Sequence, residues 1–216
     1  MFKNILILMA VILSASCGGG NDTTPADSDQ TFSLSTVNST AQGTIYEAQL
    51  AGSDTFGLNY TGSLSISNRA QIMLGGVLVT PHDILTILNS DNTSNNNTLT
   101  KYIDTDGNLI SSVLNQTELT CTPVSPDSLP TTVKIGDSGI RSTLTCSDGT
   151  TTEHSWRVED AGNGNANFIT SGTKKDHFNT FVSISDVTYT INSSGNILAL
   201  KTIAKTDVWM ITYNNI

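Results

Sequence analysis

Short segments in which apolar and polar residues alternate, separated by turn residues, run through residues 31–216. The alternation is clear in residues 44–50, 63–67 and 154–159, and it is typical of strands that bury one face. Turn sequences rich in Asp, Asn and Gly interrupt it, as in residues 106–108. Because such turns recur about every 8–12 residues, we expect an all-β domain, a mostly antiparallel β-sandwich of roughly a dozen strands.

The composition agrees with this expectation and argues against one class of partner. Charged residues make up 13% of the chain, about half the usual share, so Thr, Ser and Asn supply much of the polarity. These residues favour strands and turns over helices. The formal net charge is −9, and the ten Lys and Arg residues are scattered. Nucleic-acid binding needs clustered cations, so no nucleic acid partner is expected.

One short helix competes with a strand at residues 81–88. Thr80 offers a capping hydroxyl, Pro81 stands at the first helical position, and Asp83 falls in the first turn. The apolar residues that follow would then share a face of the helix. A buried strand is the alternative. Residues 90–98 are rich in Asn and are predicted to form a mobile loop tip.

Two hairpin sequences, residues 102–110 and 189–198, resemble each other. An ancient duplication would divide the β-rich domain into two modules that meet near residue 115. The same likeness would arise if two unrelated hairpins met the same turn requirement. The residues that flank the two hairpins do not repeat, so both interpretations stay open.

The N-terminal segment predicts export. Lys3 precedes nine apolar residues, 5–13, which suffice for the core of a signal sequence but not for a bilayer span of ~20 residues. Residues 14–17, Ser-Ala-Ser-Cys, resemble the lipobox of bacterial lipoproteins, in which the Cys is lipid-modified before cleavage. The resemblance covers residues 1–17 only, and no family is recognised for the mature domain.

This resemblance implies a signal peptide at residues 1–17, lipidation of Cys17 and a flexible tether at residues 18–30. It places the protein in the cell envelope, anchored by lipid. Gly18 resembles the residue that directs lipoproteins to the outer membrane in enteric bacteria, facing the periplasm or the cell surface. Ser14 departs from the usual Leu, and the small residues before the Cys also suit an ordinary signal peptidase. That alternative would leave a periplasmic protein with a free N-terminal thiol.

Cys121 and Cys146 remain once Cys17 is assigned to the lipid. Each follows a Leu-Thr pair, and residues i and i+2 of a strand share a face, so both thiols are expected to point inward with the Leu. An exported chain meets an oxidising compartment, where we expect these two residues to form a disulfide. A closed loop of about 26 residues would contribute roughly 3 kcal/mol. A redox or metal pair is the weaker interpretation, because no C-x-x-C spacing is present.

Residues 136–139, Gly-Asp-Ser-Gly, resemble the nucleophile motif of trypsin-like serine proteases. Ile140 and Arg141 follow where those enzymes continue with Gly and Pro, and His82 stands in a different sequence context. A catalytic triad needs a His and an Asp that converge on the Ser. The motif is therefore interpreted as a β-turn.

Two acidic turns, residues 104–108 and 159–165, offer oxygen ligands of the kind that calcium binds. An EF-hand loop needs Gly at its sixth position and Glu at its twelfth, whereas Gly comes fourth in the first turn. Asp-Gly and Asn-Gly sequences are typical of tight hairpins, so both are interpreted as turns. His82, His154 and His177 have no partner at metal-ligand spacing.

Trp156 and Trp209 lie in apolar alternating stretches, so we expect core positions rather than a sugar-stacking surface. His154, beside Trp156, is expected to be a partly buried packing residue. No residue is predicted to be catalytic, to bind a cofactor or to ligate a metal.

The sequence therefore favours a membrane-anchored envelope lipoprotein that acts as a non-enzymatic binding or interaction domain. The expected partners are the membrane, through the N-terminal lipid, and an envelope protein or glycan; no cofactor is expected. A structural component of an envelope assembly is one alternative, which a large exposed apolar edge would favour. A hydrolase acting on envelope polymers is the other, which a carboxylate pair near His154 would favour.

Overall fold

The computed structural model describes residues 29–90 and 93–216, in which the chain forms strands and turns but no helix. The strands are, in chain order, β1 (Thr31–Ser33), β2 (Gly43–Asp54), β3 (Asn59–Asn68), β4 (Ile72–Leu74), β5 (Val77–Ser90), β6 (Thr93–Asp104), β7 (Leu109–Leu114), β8 (Leu119–Pro123), β9 (Thr132–Lys134), β10 (Ser138–Ile140), β11 (Leu144–Cys146), β12 (Thr151–Gly162), β13 (Asn165–Lys175), β14 (Phe181–Ile191), β15 (Ile197–Lys205) and β16 (Met210–Asn215). The predicted signal peptide, the lipidation site Cys17 and most of the tether lie outside the described residues. No described segment forms a helix able to cross a bilayer.

Twelve of the strands close into one antiparallel barrel. Around the ring the order is β12, β11, β8, β7, β6, β5, β3, β2, β16, β15, β14 and β13, and β13 pairs with β12 to complete the circle. Of the other strands, β4 pairs with β5, and β10 pairs with β12 beyond the end of β11. β1 and β9 form a separate two-stranded ribbon.

The expected all-β, mostly antiparallel fold is confirmed, but the expected sandwich is wrong. Alternation reports that a strand buries one face, and strands of sandwiches and barrels share that property. The difference lies in the pairing of the first and last barrel strands, β2 and β16, in which Asp54 lies opposite Ile211. This pairing joins distant parts of the chain, so no local pattern reveals it. It leaves the twelve-stranded ring without a free edge.

Two glycines allow neighbouring strands to approach closely at and beside the seam, which is the pairing of β2 with β16. A Cβ atom at Gly52 in β2 would collide with the carbonyl oxygen of Thr212 in β16. A Cβ atom at Gly62 in β3 would likewise collide with the carbonyl oxygen of Ile87 in β5. Glycine within a strand marks a sharp bend or a close backbone approach, and both uses favour closure of a sheet.

The helix considered at residues 81–88 is replaced by the alternative strand, because β5 runs through the whole segment. Pro81 is accommodated where β5 changes partner: β4 pairs up to Val79, and β3 begins at His82. The N–H that proline lacks therefore falls in a gap between two ladders, while its carbonyl accepts the N–H of Arg69 at 2.9 Å. The predicted loop at residues 90–98 is also wrong from residue 93 onward, since β6 pairs with β5 there.

Two apolar clusters fill the inside of the barrel. The ribbon covers one end, called here the ribbon end, and the opposite end is called the far end. The ribbon-end cluster consists of Phe32, Leu34, Val133, Val158, Ala166, Phe168 and Ile191. The second cluster consists of Leu50, Leu64, Ile66 and Leu200. Tyr189 packs against both clusters, so it links the two apolar regions across the interior.

The two similar hairpin sequences share one side-chain hydrogen bond, in which the first turn residue accepts the N–H four residues later. Asp104 Oδ1 accepts the N–H groups of Asp106 and Asn108, and Asn192 Oδ1 accepts the N–H of Asn196. Side chains of this kind favour turns because they satisfy backbone donors locally. The strands on both sides of residue 115 belong to the same barrel. The ancestral duplication stays a prediction.

The predicted disulfide is confirmed: Cys121 in β8 and Cys146 in β11 are cross-strand neighbours and are bonded. In β11, Leu144 and Cys146 are buried while Thr145 between them is exposed. The alternation that placed each thiol on the side of its Leu therefore holds in β11.

Replacing both Cys121 and Cys146 with Ala should lower the free energy of unfolding by about 3 kcal/mol, because the denatured chain regains the freedom of a closed loop. Urea denaturation followed by tryptophan fluorescence measures the change. Wild-type protein treated with dithiothreitol is the matched control and should lose the same amount. Unchanged midpoints after both treatments would contradict the prediction.

Candidate functional site

A cavity of about 320 Å³ lies inside the barrel. Inward-facing residues of β5, β6, β12, β13 and β14 form most of its wall, together with Arg141 and the segment after β1. Since one water takes up about 30 Å³ of liquid, this volume corresponds to roughly ten waters. It reaches the lower part of the range typical of small-molecule sites.

Lys101 stands on the inward face of β6 between Leu99 and Ile103, and all three line the cavity. Its cross-strand neighbours are His82 on β5 and Ser112 on β7. Within the part of the chain that the structure describes, the ammonium has neither a hydrogen-bond acceptor nor an ion-pair partner.

Burial lowers the pKa of Lys101 to about 8; the positive charge of Arg141 adds to the shift and the carboxylate of Asp127 opposes it. Desolvation disfavours the charged form of an amine. At neutral pH the Lys101 ammonium nevertheless remains mostly protonated, because the pKa stays above 7. A cation without a counter-ion therefore faces the cavity.

Arg141, by contrast, has a dedicated counter-ion. Its Nε and Nη2 donate to the two carboxylate oxygens of Asp127, each at 2.8 Å, in the two-pronged geometry that makes such pairs strong. The Asp127 side chain is fully buried and also accepts the N–H of Ser142 at 3.2 Å. The pair fixes the guanidinium at the cavity wall. Its Nη1 group has no acceptor among the described residues.

Both inward-facing histidines are neutral at pH 7. Burial lowers the pKa of His82 to about 4, and the charge of Lys101 contributes in the same direction. Burial also lowers the pKa of His154 to about 4, with further contributions from Lys101 and Arg141. The two imidazoles thus add hydrogen-bonding groups to the cavity but no charge.

The tautomer of His82 follows from its contact with Asn68. The Asn68 amide nitrogen donates to the carbonyls of Ser39 and Ala41 at 2.6 and 3.0 Å, so the amide oxygen must be the atom that faces His82. That oxygen lies 2.8 Å from His82 Nδ1, which therefore carries the proton. Nε2 of the neutral ring is then an acceptor.

A glycine makes room for the other imidazole. Gly172 lies opposite His154 in the β12–β13 pair. A Cβ atom there would come within 3.2 Å of His154 Cδ2 and 3.3 Å of its Nε2. The ring therefore lies directly over the glycine, at the cavity wall.

The polarity of the cavity wall changes along the barrel. Toward the ribbon end its wall includes the apolar side chains of Val37, Ile103, Leu109 and Leu129, interrupted by the polar side chains of Asn38 and Tyr189. Toward the far end it is rich in hydroxyl groups, from Thr152, Ser183 and Ser185. Lys174 also lines this end, where its ammonium lies 3.5 Å from the carboxylate of Asp148.

The histidines and tryptophans considered in the sequence analysis occupy different positions in the structure. His82 and His154 both line the cavity, whereas His177 is exposed and contacts Phe178 in a tilted arrangement with ring centroids 3.8 Å apart. Trp156 is half-buried against the ribbon-end cluster. Trp209 lies in the β15–β16 turn instead of the expected core. Its Nε1 donates to the carboxylate of Asp54 in β2 at 3.2 Å.

The remaining motifs lie at turns between strands. Gly136 and Asp137 lie in the turn between β9 and β10, whereas Ser138 and Gly139 already belong to β10. The shallow depression beside Ser138 is lined by residues that include Trp156 and Arg157 but no His. Asp104 and Asp160 accept backbone N–H groups of their own turns. In residues 29–90 and 93–216, no three His, Cys, Asp or Glu side chains gather into a potential metal site.

Sequence reasoning missed Lys101, Arg141 and Asp127 as members of one site. The one available signal was Lys101, a charged residue whose i−2 and i+2 neighbours, Leu99 and Ile103, are apolar. In an alternating strand this pattern places the charge on the buried face. Arg141 and Asp127 lie in irregular segments, where no periodicity shows which way a side chain points.

No protein-family model, no curated protein and no solved structure matches the chain.

The two buried histidines should make stability depend on pH between about 4 and 6.5. In that window the unfolded chain binds more protons than the folded chain, since the pKa of each folded His is about 4 against 6.5 when unperturbed. Lowering the pH therefore favours unfolding. From pH 7 to pH 5 we expect a loss of about 2 kcal/mol for each His.

Urea denaturation at the two pH values measures this loss. The double variant His82→Gln and His154→Gln should lack most of it, and His177→Gln, at an exposed position, should retain it. An equal pH dependence in all three proteins would show that the buried imidazoles do not resist protonation.

Proposed function

We propose that this chain is a membrane-anchored lipoprotein of the cell envelope, and that its barrel is a non-enzymatic domain that binds a small ligand in the internal cavity. The Cys17 lipobox resemblance supports the anchor and the location. The observation that carries the binding function is the ammonium of Lys101, which faces a cavity of about 320 Å³ without an acceptor among the described residues.

The ammonium is costly to the ligand-free fold. A pKa of about 8, against 10.5 for a free lysine, corresponds to about 3 kcal/mol of destabilisation at neutral pH. Methionine has similar length and would avoid this cost. Perturbed ionisable groups in concave sites are characteristic of functional positions, and a bound partner of opposite charge would offset the desolvation.

The wall of the cavity favours binding over hydrolysis. No Asp or Glu side chain from the described residues lines it, and the nearby carboxylate of Asp127 is fully engaged by Arg141 and Ser142. The carboxylate pair that glycoside hydrolysis uses is therefore not found beside His154 in this part of the chain.

Replacing Lys101 with Met should raise the free energy of unfolding by up to about 3 kcal/mol at pH 7, because a partly buried charge is removed. The gain should shrink as the pH rises from 8 to 10.5, where the wild-type lysine loses its proton in the folded state first. Urea denaturation across this range measures it. Lys201→Met, on the exposed outer face of β15, is the matched control and should change stability by less than about 0.5 kcal/mol. Destabilisation by Lys101→Met would mean that the ammonium has a structural role instead.

The anchor is tested by mass spectrometry of the N-terminal peptide from the native envelope. The expected peptide begins at Cys17 and carries the mass of a diacylglyceryl group. Cys17→Ala should accumulate with its leader attached, because lipoprotein processing needs the thiol. A free thiol on the native peptide, or normal cleavage of Cys17→Ala, would favour the ordinary signal peptidase.

A second candidate function, a structural component of an envelope assembly, is favoured by exposed apolar side chains at the far end. They occupy the tips of three hairpins whose strands are consecutive in the ring, β13–β14, β15–β16 and β2–β3. This apolar rim consists of Phe56, Leu58, Phe178, Phe181, Val182, Val208 and Met210. Two of its tips are joined by the hydrogen bond from the Thr55 N–H to the Met210 carbonyl, 2.9 Å long. Exposed apolar side chains grouped on neighbouring hairpins fit an interaction site.

If the apolar rim contacts a partner, the triple variant Phe56→Ser, Phe178→Ser and Val208→Ser should lose specific in-cell crosslinks while its unfolding midpoint changes little. Ile140→Ser is the control, because Ile140 is 91% exposed but lies outside the rim. Crosslinks that survive the triple variant would exclude the rim as the contact surface.

A further inference from the structure

We infer that the ligand of the barrel cavity is an organic monoanion with an apolar tail, such as a monocarboxylate, whose charged head lies at Lys101 and whose tail extends toward the ribbon end. This inference rests on the proposed function and specifies the chemical class that the same site accepts.

The charge of the ligand follows from the groups that face Lys101. At neutral pH, Lys101 and Arg141 are positive and Asp127 is negative, while His82 and His154 are neutral. The phenol of Tyr189, which also lines the cavity, is neutral because burial raises its pKa to about 12. Lys174, toward the far end, is paired with Asp148. One positive charge is therefore left uncompensated.

A monoanion would balance this charge. A dianion would leave one negative charge in a poorly solvated space, and a cation would add a second positive charge; both are costly. The carboxylate of a monoanion also has two acceptor oxygens. These can accept hydrogen bonds from two charged donors that lack acceptors among the described residues, the Lys101 ammonium and the Nη1 group of Arg141.

The direction of the ligand's apolar tail follows from the polarity of the cavity wall. Apolar side chains are more frequent in the lining from Lys101 toward the ribbon end, where Asn38 and Tyr189 are the polar exceptions, and hydroxyl groups are more frequent toward the far end. Each methylene buried against the apolar part contributes about 0.8 kcal/mol. A head placed at Lys101 with its tail among the hydroxyl groups would forgo this contribution, so the ligand has one favoured direction.

Titration calorimetry of the full chain in a non-ionic detergent tests the inference, with octanoate as the probe and its heat of mixing with empty micelles subtracted. Octanamide, of similar shape but uncharged, should bind at least tenfold more weakly. Lys101→Met should weaken octanoate binding at least tenfold, while Lys201→Met should not change it. Because the anion needs the protonated lysine, octanoate should also bind at least tenfold more weakly at pH 9.5 than at pH 7.

Three results would overturn the monoanion assignment: no measurable octanoate binding, equal binding of octanamide, or unchanged binding by Lys101→Met. Native mass spectrometry of the protein isolated from its own envelope separates this failure from failure of the proposed function. A small molecule that accompanies the wild type but not Lys101→Met would keep the cavity as the binding site and reject only the ligand class. If no molecule accompanies the wild type and octanoate also does not bind, both proposals fail.

Discussion

The pairing of β2 with β16 is the constraint on which the rest of the structure depends. It joins the first and last strands of the barrel and turns a sheet with two faces into a wall with an inside and an outside. Only an enclosed interior can gather Lys101 and the two inward-facing histidines around one cavity. Gly52 and Gly62, at the bends beside this seam, are therefore as important to the site as the residues that line it.

The barrel interior contains both apolar clusters and charged side chains. Apolar clusters occupy the ribbon end and the wall around Leu50 and Leu200, and Tyr189 contacts both. The space beside them holds one balanced ion pair, Arg141 with Asp127, and one unbalanced ammonium, Lys101. A fold that needed only stability would fill this space with aliphatic side chains, since unpaired buried charge opposes folding.

The sequence revealed the features that depend on neighbouring residues. Alternation in residues 154–159 correctly indicated a strand, and the Leu-Thr-Cys pattern led to the disulfide. The structure has a strand and not a helix at Pro81. The sequence did not decide between them, because proline is tolerated both at the first position of a helix and at a gap between two strand ladders. Barrel closure and the site could not be read from the chain, because both are made by residues that lie far apart in sequence and meet only around the ring.

The disulfide has a mechanical consequence for the cavity. Lys101, Ser112, Cys121 and Cys146 are successive cross-strand neighbours on β6, β7, β8 and β11. A slip of two residues between short strands such as β8 and β11 would keep every side chain on its own face, so the hydrophobic pattern alone does not forbid it. Such a slip would carry one strand about 7 Å along its neighbour. The covalent bond between β8 and β11 fixes the register of these two strands at one end of this row. It therefore helps to hold Lys101 at one position along the barrel.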